Sequence, residues 1–358
     1  MTMFPLTPSK AREAIIECMQ VNLVPFLTSS PGLGKSSIVQ QITKDFSLEL
    51  IDLRLSQCAP EDLMGLPMRK GEGAEMRAAF APFEMFPTEN DPLPEGKQGW
   101  ILLLDEFNSA AKAVQASAYK IVLDRMVGQT QLHENCFIVC AGNLSGDRAI
   151  VNSMSTAMQS RLIHIEMEAS HIDFMSYAVK AGIDHRILGF LEFQPSKLHS
   201  FKPDHNDRTF ACPRTWEFAS KLIKGKSLSE INVPLLAGTL SDGVAVELKA
   251  FLKEYDKLPS YTAILKDPLN IEIPREASTC FAVVTMMLDK FKTSDFEEIV
   301  KYTARLSPEF QVIYFRNLLK RDKTLFKHPL YAKSTLHLMK FLTDPDEDNS
   351  HDTTSAAA

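Results

Sequence analysis

The run SSPGLGKS at residues 29–36 ends in Gly34-Lys35-Ser36. That ending matches the close of the phosphate-binding pattern G-x-x-x-x-G-K-[ST]. Such a loop works because successive backbone N–H groups turn inward and a helix begins just behind them. The stretch Ser30-Pro31-Gly32-Leu33-Gly34-Lys35-Ser36-Ser37 supplies those groups. Gly32 and Gly34 carry no Cβ and can take backbone angles that other residues avoid. Lys35 would set its ammonium between β- and γ-phosphates, and Ser36 would offer its hydroxyl to Mg²⁺. Ser29 stands where the pattern has its first glycine. A serine can enter such a turn if its backbone stays at negative φ.

A second polar pair, Asp105-Glu106, follows the apolar run Trp100 to Leu104 (WILLL). A buried strand of that kind delivers both carboxylates to one edge of a sheet. Asp105 would hold Mg²⁺ through its water shell, with Glu106 orienting and polarising an attacking water. Asn143 ends CAGN after another apolar run, where its amide could bond a γ-phosphate or the lytic water. Arg161, in QSRLIHIE, precedes a further strand signal. From there it could reach a neighbouring subunit's γ-phosphate and stabilise transition-state charge.

These residues need a scaffold, and the apolar pattern supplies one. Short apolar runs at 24–27, 48–53, 100–104, 136–141 and 162–166 read as strands. Between them, Ile38, Ile42 and Phe46 recur at helical spacing, as do Val114, Ala118, Ile121 and Val122. Alternating strands and helices predict a parallel α/β sheet with ligands at the strand C-terminal ends. Residues 54–99 are rich in Pro, Gly and acidic residues and show no period. Beyond about residue 169 strand signals fade. Ala277 to Phe291 has helical length, Ser294-x-x-Glu297 has capping-box spacing, and Ser307-Pro308 places proline at a first helical position.

Bulk properties exclude several classes. The chain has 358 residues, 45% hydrophobic and 23% charged, as in ordinary globular domains. Its net charge of −6 gives no general field for nucleic acid or an anionic membrane, although a local basic channel stays open. No run approaches the roughly 18 apolar residues of a membrane span, and the N-terminus lacks a secretory layout. The six cysteines form no C-x-x-C pair and read as reduced thiols of a cytoplasmic protein.

Taken together, SSPGLGKS, WILLLDEFNSA, CAGN, SRL and CPRTW resemble the AAA+ ATPases, and within them the MoxR-like group, over about residues 20–220. EDLMGLP at 61–67 and the run Phe107-Asn108-Ser109-Ala110 are also similar to that group. The separation of 70 positions from Lys35 to Asp105 leaves room for the insertion that the group carries in its second helix. The resemblance implies that Lys35 and Ser36 are the Walker A pair and Asp105 and Glu106 the Walker B pair. Asn143 would then be the sensor-one residue and Arg161 the trans-acting arginine finger, with Arg148 in SGDRAI competing for that role. Arg214, in CPRTW, is similar to the sensor-two arginine that reaches from a helical lid.

The expected fold is therefore an AAA+ P-loop core of α/β class with a five-stranded parallel sheet over 1–168. A helical lid would follow at 169–258, a helical C-terminal segment at 259–343, and a disordered acidic tail at 344–358. The expected activity is Mg²⁺-dependent ATP hydrolysis at the subunit interfaces of a homo-oligomeric, hexameric ring that remodels a client protein. A von Willebrand factor A-domain partner is implied by the resemblance alone. No guanine box N-K-x-D occurs, so adenine also follows from the resemblance. A nucleic-acid motor or loader on the same core, and a nucleotide-gated scaffold with slow hydrolysis, are the rival readings.

Overall fold

The computed structural model describes residues 4–71, 76–147, 151–204, 207–255 and 258–338. Arg148 and the acidic tail at 344–358 lie outside the described residues. The chain divides into two compact units. One holds Met1–Asp173, Phe201–Asn206 and Cys212–Arg214; the other holds Phe174–Ser200, Asp207–Ala211 and Thr215–Ala358.

The first unit starts with α1 (Pro8–Gln20), β1 (Pro25–Ser29), α2 (Lys35–Asp45), β2 (Glu49–Arg54) and α3 (Pro60–Met64). It continues with β3 (Leu66–Lys70), β4 (Arg77–Ala81), β5 (Trp100–Asp105), α4 (Lys112–Asp124), β6 (Met126–Val127) and β7 (Thr130–Gln131). It ends with β8 (Cys136–Asn143), α5 (Thr156–Gln159) and β9 (Ile163–Met167). Five strands form one sheet in the order β2-β5-β8-β1-β9, all parallel.

Helices cover both faces, so the inner strands read as continuous apolar runs rather than as alternation. One face sets Phe26, Leu102, Leu104, Ile138 and Cys140 against Val114, Ala118 and Ile121 of α4. The other sets Leu27, Ile101, Leu103, Val139 and Ile165 against Ala11 and Ile15 of α1 and Ile38, Val39 and Ile42 of α2. Truncating a fully buried side chain such as Leu103 to alanine should cost about 2–5 kcal/mol.

The strand order creates the site. From β1 the chain crosses to the far edge at β2, returns through β5 and β8, and passes to β9 on the other side of β1. Connections therefore part at the β8–β1 boundary, opening a crevice at the strand C-terminal ends. Parallel register puts Ser29 beside Asn143, and Arg54 beside Asp105, at that edge.

The second unit is helical. It carries α6 (His171–Ala181) from Phe174 on, α7 (His185–Phe193), α8 (Pro213–Ile223) from Thr215 on, α9 (Val233–Leu240), α10 (Asp242–Tyr255) and α11 (Tyr261–Lys266). Further along are α12 (Ala277–Lys290), α13 (Phe296–Thr303), α14 (Pro308–Arg321) and α15 (Pro329–Thr335). One core gathers around Trp216 and Phe190, whose rings lie 5.6 Å apart. A second surrounds Met287, Tyr302, Tyr314 and Phe315.

Pro308 opens α14 with Ser307 as N-cap, and α12 spans the apolar segment, as the sequence predicts. Within residues 54–99, which show no period in the sequence, α3 and the antiparallel hairpin β3–β4 form. Most hairpin residues are exposed, so no buried face imposes a period. Two readings change. Phe46 is the C-cap of α2, just past the helix end at Asp45, and is exposed rather than part of the buried face. The Ser294/Glu297 capping box does not form. A 3-10 turn, Thr293–Asp295, precedes α13; Ser294 donates to Asp295, and Glu297 pairs with Lys301.

Candidate nucleotide site

Residues 30–34 bridge β1 and α2, and the helix N-terminus faces the crevice. Gly32 and Gly34 have φ of +79° and +89°, where a side chain would be strained. Gly32 is also crowded, since a Cβ there would lie 2.3 Å from Cys212 Sγ. The N–H of Arg214 donates to the Gly32 carbonyl at 3.2 Å, so the CPR stretch backs the loop directly. The first N–H groups of α2 have no intrahelical acceptor, and the helix dipole adds partial positive charge at the same place. Pro31 and Leu33 shape the loop, with Leu33 buried; Ser30 is half-buried and Ser37 exposed.

Lys35 Nζ donates to the Ser29 carbonyl at 3.1 Å, to Ser29 Oγ at 3.2 Å and to Asn143 Oδ1 at 3.2 Å. Burial lowers the ammonium's pKa to about 8, against the pull of Asp105, and the Arg214 charge adds to the lowering. An ammonium held short of its normal hydration is ready to exchange neutral oxygens for phosphate oxygens. Ser29 has no positive φ; it is the last residue of β1 and fully buried. The missing first glycine therefore leaves the loop unstrained, and the serine hydroxyl becomes one of the three oxygens around Lys35.

Ser36 Oγ donates to Asp105 Oδ2 at 2.8 Å, bringing a hydroxyl and a carboxylate together across 69 residues of chain. These are hard oxygen donors of the kind Mg²⁺ prefers, and the adjoining ring of N–H groups and ammonium fits polyphosphate. The residues present thus fit a magnesium nucleotide.

Glu106 has φ of +55°, in the left-handed region that a non-glycine residue seldom occupies. That turn ends β5, and the Glu106 N–H donates to Asp105 Oδ1 at 2.8 Å. In an extended strand, consecutive carboxylates would point to opposite faces. Here the turn re-aims Glu106 toward the β2 side, where Ser56 Oγ donates to its Oε2. Ser56 went unnoticed in the sequence. The available signal was a hydroxyl just past β2, the strand paired with β5.

Arg161 is not brought to this site within the chain. It is exposed, its Nη1 donates to Ala157 O at 2.9 Å, and it lies two residues before β9. Pro25 pairs with Ile163 and Ser29 with Met167, so Arg161 sits at the strand N-terminal edge. Lys35 lies beyond the opposite edge, at least about 13 Å away along the strand. Lys35, Ser36, Asp105, Glu106 and Asn143 converge on one edge, with Arg214 behind the loop.

A family model described as ATPase family associated with various cellular activities (AAA) matches residues 25–167, from the first residue of β1 to the last of β9. Solved structures are similar at low identity. A RuvB mutant from Thermotoga maritima shares 15% identity, covering 81% of this chain and 86% of its own, with a TM-score of 0.38. NtrX from Brucella abortus, in complex with ADP, shares 13% identity over 95% of this chain and 66% of its own, with a TM-score of 0.33. Likeness at that level carries no argument.

Proposed function

We propose that this protein is a Mg²⁺-dependent ATPase of the AAA+ type that works as a ring. The observation carrying this reading is the meeting of Lys35, Ser36, Asp105 and Asn143 at the β8–β1 crevice. Bound Mg²⁺-ATP would supply an activated phosphoanhydride with part of its charge neutralised. The loop N–H groups and Lys35 would bind the phosphates, and Ser36 and Asp105 would hold the metal. Glu106 would accept a proton from the attacking water, and Asn143 would orient it. Ser56 holds Glu106 by a hydrogen bond, which would have to yield as the carboxylate turns to water.

The exposed Arg161 at the far sheet edge favours a site completed by a neighbouring subunit, which is the reason for a ring. The MoxR-like reading rests on EDLMGLP, the Asn-containing run after Glu106 and CPRTW, together with the hairpin β3–β4 between Lys35 and Asp105. It makes the ring, as a hexamer, a remodeller of a client protein.

The test is phosphate release by the full chain with ATP, with and without Mg²⁺. The wild type should turn over only with the metal, and Glu106→Gln should bind ATP without releasing phosphate. A wild type that neither binds nor hydrolyses ATP overturns the proposal. Stimulation of turnover by DNA, with binding that weakens in salt, would replace the remodelling role by a nucleic-acid motor. Affinity capture on ATP-loaded Glu106→Gln should retain the client.

A further inference from the structure

The sheet has a weak point at the place where the site needs most precision. Strand β5 pairs with β8 only as far as Leu104 and Cys140, and the chain turns away after Asp105, at Glu106. Ala141, Gly142 and Asn143 extend beyond that pairing, supported on the other side by β1. The side-chain amide of Asn108 takes the place of the missing strand. Its Oδ1 accepts from the Asn143 N–H at 3.1 Å, and its Nδ2 donates to the Asn143 carbonyl at 2.7 Å. One donor and one acceptor against a single residue's N–H and C=O reproduce the peptide pairing of a sheet.

Asn108 is itself held in place. It is only 6% exposed, in a 3-10 turn directly after Glu106. Its carbonyl accepts from the Asn152 N–H at 2.7 Å, and the Asn152 amide donates to Ala110 O at 2.8 Å. The fit over β8 is close: a Cβ on Gly142 would lie 2.4 Å from Asn108 Oδ1. Gly142 does not need its glycine for a left-handed turn, so space for this amide and for Phe26 is what excludes a side chain.

We propose that Asn108 is a positioning residue that fixes the end of β8, and through it the side chain of Asn143, for the reaction at this site. The inference rests on the ATPase reading above and deepens it. The turn that aims Glu106 and the strand that carries Asn143 are joined by one amide, so the two groups facing the water move together. A displacement of about 1 Å in such a group can cost 10²-fold in rate.

The experiment uses the full chain with Asn108→Ala, Asn143→Ala and the double variant. Nucleotide affinity of Asn108→Ala, read with a fluorescent ATP analogue, should stay within about threefold of wild type, since the loop, Lys35 and the Asn143 side chain that meets it are all retained. Single-turnover hydrolysis should fall roughly 10–100-fold. The double variant should be no slower than Asn143→Ala alone, because residues acting through one another are not additive. A merely structural Asn108 would instead give losses that multiply, and that result overturns the proposal, as would wild-type turnover by Asn108→Ala.

Hydrogen exchange on the nucleotide-free chain reads the clamp independently of any activity. A peptide covering residues 141–144 should exchange faster in Asn108→Ala. Unchanged exchange there overturns the inference whatever the ATPase outcome, while an inactive wild type with faster exchange in the variant would overturn only the ATPase reading. Should Asn108→Ala fail to fold, Gly142→Ala displaces the amide without deleting it and must show the same split between affinity and rate.

Discussion

Lys35 Nζ donates to Asn143 Oδ1 at 3.2 Å, joining the first residue of α2 to the last residue of β8 across 108 residues of chain. The pair closes the crevice between β1 and β8 with a cation on one wall and an amide on the other. On the proposed reading, phosphate would take over Lys35 and so free Asn143 to face whatever approaches the γ-position.

Replacing Lys35 should therefore remove nucleotide binding first. Lys35→Ala loses charge-assisted bonds in a partly desolvated site, so ATP affinity should fall at least about 10–100-fold. Equilibrium binding measures it. An unchanged dissociation constant would remove the loop from the site.

Gly32→Ala tests the backing of the loop by the CPR stretch. The new methyl group would meet Cys212 Sγ at 2.3 Å in a backbone with φ of +79°. We expect a loss of about 1–3 kcal/mol in stability together with weakened ATP binding. Urea unfolding with and without nucleotide reads both, and a variant as stable as wild type would show that the contact is not a close one.

Mixing variants tests whether Arg161 acts on a neighbour. Arg161→Ala and Glu106→Gln should each lose about 10³-fold in turnover while still binding ATP. Combined in one ring, the intact Arg161 of the Glu106→Gln subunits completes the sites of the others, so activity should return. No recovery, in rings shown to be mixed, would sink the trans assignment.

The helical unit offers a pH prediction. Asp184 is 5% exposed, and Arg186 meets both its oxygens at 2.9 Å while bonding the carbonyls of Ile223 and Lys226. Burial would raise the carboxyl's pKa, but the hydrogen bonds and charge of Arg186 outweigh it and hold it below the ordinary 3.8. A lowered carboxylate pKa contributes stability above the unfolded value and loses it as pH falls through the folded one. Arg186→Ala should thus cost about 3 kcal/mol near neutrality, and the gap to wild type should narrow by about pH 3. Urea unfolding at the two pH values checks it; an unchanged gap would mean that packing, not charge, is what Arg186 contributes.

Much of this protein is determined by its sequence alone. The five strands, α2, α4 and α12 are legible because burial imposes a period, or a solid apolar run, on local residue choice. Gly34, Lys35, Ser36, Asp105 and Asn143 are legible because each is a chemically specialised residue at a strand or loop end. The hairpin β3–β4 was not legible, since its exposed residues answer to no core. Nor were the partners of the site. That Ser56 holds Glu106 and Asn108 pairs with Asn143 depends on which strands become neighbours. Strand order and register are set by the packing of the whole sheet, so pairings between residues 50 and 35 positions apart were decided only by the tertiary structure.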